Sequence, residues 1–171
     1  MKEYLVHLMK YNQSANNQVI KLLADLNESD RNLDRKSYYK SLQGLFEHIV
    51  GAELFLQKII KASLPEISGL DHKYMDFKLE PGNSILHNFS ELKTALETFD
   101  SALIEMTESL KDEDMEKIVL FNHPKIKLEY KLGVIIMQCA NHGTHHRGQI
   151  SQILDEMGID NNFSSILPKY E

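Results

Sequence analysis

Cysteine is nearly absent from this chain, and so are long apolar runs and an excess of basic charge. The 171 residues include one cysteine, Cys139, so no disulfide framework exists and we expect a reducing, cytoplasmic location. No apolar stretch approaches the length of a membrane span or a signal peptide, so no membrane partner is expected. The net charge of -6, with dispersed lysine and arginine, argues against a nucleic-acid partner.

The signatures of several enzyme families are missing too. The chain has no Ser-His-Asp pattern, no Gly-rich phosphate loop and no histidine-glutamate zincin motif. It also lacks internal repeats and low-complexity segments. Its length suits one domain, residues 1–171, with a core that needs no disulfide or other staple.

A histidine-rich motif stands out against this background. Residues 141–149 read NHGTHHRGQ inside an otherwise apolar helical pattern. His142 and His146 are one helical turn apart, and their side chains point within about 40° of each other. Both rings can therefore reach one metal ion that finds a third ligand elsewhere.

Heptad spacing around each histidine indicates which of them face inward. His142 and His146 continue stripes of apolar or small side chains, whereas His145 continues a polar stripe. We therefore predict His142 and His146 as metal ligands and place His145 outside the site. The alternative, that both are hydrogen-bonded core histidines, stays open. Cys139 lies on the same face, and we interpret it as a small core residue rather than a fourth ligand.

Apolar periodicity predicts four long helices and one short hairpin. The third helix has a seam without polar residues, so we expect it to supply core and little chemistry. The hairpin is predicted between residues 116 and 130, where the helical period fails and Asn122-His123-Pro124 provides a turn. Gly158 is a plausible C-terminal glycine for the last helix. The predicted helices cover residues 2–27, 35–62, 85–110 after an entrance at 80–84, and 130–157.

The first two helices add polar candidates. His48 lies near the edge of the apolar arc of the second helix and is the natural third ligand, which leaves one or two positions open on zinc, nickel or a similar ion. Asn12 and Asn16 interrupt the seam of the first helix. Together with Gln149 they are candidates for lining the site or contacting a ligand on the ion, with helix packing as the alternative.

These features resemble a known family, the DinB/YfiT-like metalloenzymes. The likeness runs in the right order over nearly the whole chain, and the His-Arg-Gly-Gln part of the motif carries most of it. The pieces that match are Tyr11-Asn12, Asn16, Leu45-Phe46-Glu47-His48, Ala52-Glu53, the segment 141–150, and Leu154-Asp155-Glu156-Met157-Gly158.

The resemblance implies an all-α fold, an antiparallel four-helix bundle with a long crossover, that holds a divalent metal, often nickel or zinc. Matched residue by residue, the ligands are His48, His142 and His146. Members are frequently homodimers. Relatives with assigned activities use low-molecular-weight thiols, as thiol S-transferases or a thiol-dependent isomerase, and others are described as metal-dependent hydrolases.

The leading hypothesis is therefore a metalloenzyme that activates a thiol or a water against a small-molecule substrate. A metal-dependent hydrolase is the first alternative. The second is a stress-related bundle whose ion is structural, and a helical interaction module without metal is the third. No residue pattern in the chain identifies a thiol cofactor or an electrophilic substrate.

Overall fold

The fold is mainly helical with one small antiparallel sheet. The computed structural model describes residues 1–78, 86, 88–123 and 126–167. Short 3-10 helices occupy Lys73–Asp76 and Asp112–Glu116. The other elements are α1 (Lys2–Asp25), α2 (Glu28–Asn32), α3 (Leu42–Ser63), α4 (Phe89–Ser109), β1 (Ile118–His123), β2 (Ile126–Lys131) and α5 (Leu132–Glu156).

The region between the first two long helices differs from the prediction. Residues that no predicted helix covers contain α2, at whose start the Asn27 side chain accepts a hydrogen bond from the backbone N–H of Asp30 at 2.8 Å. The helix expected from residue 35 begins only at Leu42. Lys36 and Lys40 adopt left-handed φ values of 58° and 65°, which interrupt a helix, and Ser41 then caps α3.

The predicted hairpin is present. Strands β1 and β2 pair antiparallel, with Ile118 opposite Lys131 and His123 opposite Ile126. His123 was expected in a loop, but its backbone ends β1 instead. The turn residues 124 and 125 lie outside the described residues.

The boundaries of the last two long helices also shift from those predicted. Helix α4 begins after Asn88, whose side chain accepts a hydrogen bond from the backbone N–H of Ser90 at 2.8 Å. The predicted entrance at 80–84 lies outside the described residues. Helix α5 ends near Gly158, which has a left-handed φ of 72° as expected of a C-terminal glycine.

The four long helices pack so that α1 and α3 each contact both α4 and α5. Their buried side chains form two apolar clusters, one containing Leu23, Leu54, Phe99 and Leu154, the other Met9, Ile60, Met106 and Leu132. Helices α1 and α5 run from the second cluster to the first, whereas α3 and α4 run the other way. The neighbouring pairs α1/α4 and α3/α5 are thus antiparallel, and residues 64–88 connect α3 to α4.

Buried polar side chains separate these clusters along the long helices. The polar layer, as we call it, comprises Asn12, Asn16, Glu53, Asp100 and Arg147, each at most 5% exposed. Asp100, for example, follows Phe99 of the first cluster and precedes Ala102 of the second. The histidine motif of α5 lies at this level, so the fold brings two different polar groups to one section of the molecule.

The segment after α5 folds back, as its apolar residues predict. Phe163 is buried against the first apolar cluster, and the Tyr11 hydroxyl donates a hydrogen bond to its carbonyl oxygen at 2.8 Å. Residues 168–171 lie outside the described part. Within the described residues, every helix is too short or too polar to cross a membrane.

Candidate metal centre

Helices α3 and α5 bring together three histidines predicted as ligands. His48 comes from α3, and His142 and His146 come from successive turns of α5. Each histidine offers one ring nitrogen, and these three nitrogens all lie within 4.8 Å of one another. The Nε2 atoms of His48 and His142 are 3.0 Å apart, and the ring centre of His146 is 4.4 Å from each of the other rings. We call these three residues the histidine cluster.

Burial keeps the cluster neutral at physiological pH. His146 is 5% exposed, and His48 and His142 are half-buried. Loss of solvent lowers the pKa of His48 and of His142 to about 4, with a smaller contribution from neighbouring imidazoles. The pKa of His146 is also lowered by burial. A neutral imidazole is the form that binds a metal, so the three rings are in the required protonation state.

Gln149 fixes the orientation of one ring. Its Oε1 lies 2.7 Å from Nδ1 of His146, one turn earlier on α5. Because a carbonyl oxygen only accepts, Nδ1 carries the proton and the Nε2 lone pair is free to bind an ion. Gln149, a candidate for lining the site or contacting a ligand on the ion, touches a histidine of the cluster.

The donor set suits a divalent transition metal. Two nitrogens that bind one tetrahedral ion at about 2.1 Å lie roughly 3 to 4 Å apart, close to the spacing within the cluster. Imidazole nitrogens favour zinc, nickel, copper or iron over magnesium and calcium. Cys139 is buried in the second apolar cluster, where burial raises the pKa of its thiol, and His145 is exposed on the outer face of α5.

Tyr39 is a member of the site that the sequence did not predict. Its ring stacks on His48 with centres 4.3 Å apart, and its hydroxyl lies 2.9 Å from His48 Nε2. Its ring edge also approaches His146, with centres 5.3 Å apart. Because the second helix was predicted to start at residue 35, Tyr39 was assigned to a helix. It lies in the loop before α3 instead.

The sequence profile of the DinB family matches residues 1–163. The chain belongs to the DinB family. A comparison with curated proteins finds no match. Family membership agrees with the resemblance carried by the histidine motif, and it leaves the reaction open.

The two asparagines predicted to line the site of this DinB-family protein lie in the polar layer. Asn12 and Asn16 both donate from Nδ2 to the Asp100 carboxylate at 3.0 Å. Their side-chain oxygens accept hydrogen bonds from Arg147 Nη1 at 2.8 and 2.7 Å. The amides thus bridge a buried cation and a buried carboxyl group, which makes helix packing, the alternative we kept open, their visible role.

Arg147 and Asp100 were missed as functional candidates, although the sequence contains a signal for each. Arg147 occupies the heptad stripe between Ala140 and Leu154, and Asp100 lies one turn from Leu96 and Leu103. A charge on an apolar stripe predicts a buried partner. Helix α4, expected to supply core alone, therefore also provides the acid of the polar layer.

Glu53 adds a second carboxyl group to this layer. Burial raises the pKa of Glu53 well above its ordinary value, and the nearby Asp100 raises it further. Burial also raises the pKa of Asp100 to about 7, against the opposing hydrogen bonds of the asparagines and the charge of Arg147. Both carboxyl groups thus lie near the Arg147 cation, and burial disfavours the charged form of each.

Proposed function

We propose that this DinB-family protein is a metalloenzyme in which His48, His142 and His146 hold a divalent ion, with nickel or zinc preferred. We propose that the fold that carries this site is an antiparallel four-helix bundle with a long crossover. The substrate is a small molecule that reacts with a low-molecular-weight thiol or with water. The single observation that carries the proposal is the convergence of three neutral imidazoles from α3 and α5.

The arrangement of the three rings suits a cation. The Nε2 atoms of His48 and His142 are 3.0 Å apart, a distance that a hydrogen bond between two neutral tautomers spans in the metal-free protein. A divalent ion would accept both lone pairs at once and add the third imidazole, His146, as a further ligand.

The bound ion would supply Lewis acidity that makes a thiol or a water nucleophilic at neutral pH. The chain itself provides the geometry of the site. Gln149 holds His146 in the tautomer that leaves Nε2 free, and the packing of α5 on α3 sets the distance to His48. Three protein ligands leave room for a further ligand, as in catalytic rather than structural zinc sites. The rings of His48 and His142 are half-buried, so the cluster is partly accessible to solvent.

Thiol transfer is the first candidate reaction, because the family resemblance favours a small thiol as nucleophile. Hydrolysis of an ester or amide is the second, and a structural ion in a stress-related protein is the third. The homodimer and the cytoplasmic location that we expect are also part of the proposal. Light scattering of the purified protein at several concentrations tests the dimer.

Metal content tests the site directly. We expect one ion per chain by elemental analysis of the purified protein, and replacement of His146 by alanine should abolish stoichiometric binding. His145→Ala is the matched control, since this neighbouring histidine is exposed and is not one of the three whose ring nitrogens converge. The opposite behaviour of the two variants would show that the ligand assignment is wrong.

The reaction is tested with metal-loaded protein, a set of bacterial thiols and a panel of electrophiles such as halogenated aromatics and epoxides. We expect a thioether product from wild type and none from His142→Ala. Equal product from both proteins across every pair would remove the transferase proposal. Turnover of esters or amides alone would identify a hydrolase.

A further inference from the structure

Tyr39 contacts the histidine cluster through its hydroxyl as well as through its ring. Its hydroxyl is 2.9 Å from Nε2 of His48, the same nitrogen that lies 3.0 Å from His142 Nε2. The phenol oxygen thus sits at the point where ring nitrogens of the cluster meet. The neighbouring Tyr38 is 90% exposed, and its ring packs edge-on against Tyr39 with centres 4.9 Å apart.

The backbone around Tyr39 is built to hold it there. A Cβ at Gly44 would overlap the carbonyl oxygen of Tyr39, so the loop packs on α3 only because residue 44 is glycine. Lys36 and Lys40, on either side of the tyrosine, both have left-handed φ values. Non-glycine residues in this conformation cost free energy and concentrate at functional sites.

The Tyr39 hydroxyl becomes available as a hydrogen-bond donor once His48 binds a metal ion. The Nε2 lone pair cannot both bind an ion and accept a hydrogen bond from Tyr39. The phenol O–H is then a free donor beside the ion, in the half-exposed part of the site. A donor at that place stabilises negative charge on whatever shares the ion with the histidines.

We propose that Tyr39 is the ligand-contacting residue of this site and donates a hydrogen bond to a small anion, such as a thiolate, held beside the three histidines. The inference rests on the proposed function, because it requires an ion on the histidine cluster. It adds a residue from the loop before α3 to a site otherwise made by α3 and α5.

Anion binding to the cobalt-loaded protein tests this role without relying on turnover. Cobalt(II) reports its ligands by visible absorption, and azide serves as the anionic probe. We expect Tyr39→Phe to weaken azide binding by about tenfold or more, because a hydrogen bond to a charged group is lost while the ring is kept. Cobalt affinity should stay within about threefold of wild type. Tyr38→Phe, which removes the hydroxyl of the exposed neighbour, should match wild type in both measurements.

Three results would overturn the inference, and they are distinguishable. Equal azide affinity in wild type and Tyr39→Phe would show that the tyrosine only stacks on His48. A large loss of cobalt affinity in Tyr39→Phe would make Tyr39 a direct metal ligand instead. Failure of wild type to bind cobalt would remove the proposed function and this inference together, whereas the first two results would leave the metal site standing.

Discussion

His146 and Arg147 are consecutive residues of α5 that serve two different polar regions. His146 faces the histidine cluster, where three imidazoles meet and Tyr39 approaches from the loop. Arg147 is 1% exposed and lies in the polar layer. Its guanidinium donates hydrogen bonds to the side-chain oxygens of Asn12 and Asn16, which in turn donate to Asp100. One region is half-open and consists of neutral imidazoles. The other is closed and joins a cation to a carboxyl group through two amides, although Arg147 Nε and Glu53 Oε1 have no hydrogen-bond partner among the described residues.

The comparison indicates that neighbouring residues of α5 have different roles, one in packing and the other in metal binding. The polar layer makes its hydrogen bonds within the protein, so it fixes how α5 packs on α1 and α4. The histidine cluster depends on that packing, because a rotation of α5 would turn His142 and His146 away from His48. We therefore expect changes in the polar layer to affect stability first, and changes in the cluster to affect metal binding first.

The largest expected effect follows from removing the acid of the polar layer. Asp100→Ala leaves Arg147 as a buried cation and frees the amide donors of Asn12 and Asn16. We expect the free energy of unfolding at pH 8 to fall by roughly 3–5 kcal/mol. Chemical denaturation followed by circular dichroism measures it.

An exposed acid on the same helix provides the control for Asp100. Glu97 pairs with Lys93 on the surface at 3.9 Å, so Glu97→Ala should cost less than about 1 kcal/mol. A similar small loss for Asp100→Ala would mean that the polar layer does not hold α5, and the assignment of different roles to these residues would be wrong.

The next effect comes from Gly143 and Gly148, two of the three glycines of α5. A Cβ at Gly143 would lie 2.6 Å from Arg147 Nη1 and 2.8 Å from Asn12 Oδ1, so Gly143→Ala forces the polar layer apart. We expect a loss of about 1–3 kcal/mol in thermal or chemical unfolding. Gly148→Ala meets no atom within 4 Å and should stabilise the helix by about 0.5–1 kcal/mol. Stabilisation by both changes would show that Gly143 is not needed for the close approach.

A smaller effect is expected from the residue that orients the cluster. Gln149→Ala removes the acceptor from Nδ1 of His146, which frees the ring to rotate and to change tautomer. Metal affinity, measured by competition with a chelator, should fall about 10- to 100-fold with stability nearly unchanged. Gln152→Ala, at an exposed glutamine three residues further along α5, is the control. If the two variants bind metal equally well, Gln149 does not orient the ligand.

The sequence predicted what depends on helix phase. Stripes at heptad spacing brought His142 and His146 to one face, excluded His145, and selected His48 as their partner on another helix. The hairpin was likewise predictable, because two short extended segments flank a proline-containing turn. Local periodicity is enough to assign each histidine to a helix face and to place the hairpin, since each of these inferences uses residues close together in the chain.

What the sequence did not predict depends on tertiary contacts. Tyr39 was assigned to a helix because nothing local indicates the left-handed backbone at Lys36 and Lys40, which is stable only when the loop packs on Gly44. The bonds of Asn12 to Asp100 and Arg147 join three helices far apart in the chain. Buried charge on an apolar stripe signals that a partner exists, but does not identify it.

The smallest expected effect is on pH dependence, where the two regions should differ in sign. His142 has an ordinary pKa of 6.5 when unfolded and a pKa of about 4 when folded, owing to burial and then to its neighbours His146, His48 and His145. Between these values the unfolded chain binds more protons, so the stability due to neutral His142 is lost as the pH falls from about 6.5 to 4. Asp100 has a raised folded pKa, and its contribution therefore increases as the pH falls from about 7.

The free energy of unfolding of the metal-free protein, measured at pH 7 and at pH 5, tests this contrast. The change between the two pH values in wild type is compared with the change in each variant. Relative to His142→Gln, wild type should lose stability at the lower pH, by less than about 1 kcal/mol because the ring is only half-buried. Relative to Asp100→Asn, wild type should gain stability. Slopes of the same sign would show that the histidine cluster and the polar layer titrate as one unit, and the separation between His146 and Arg147 would have to be abandoned.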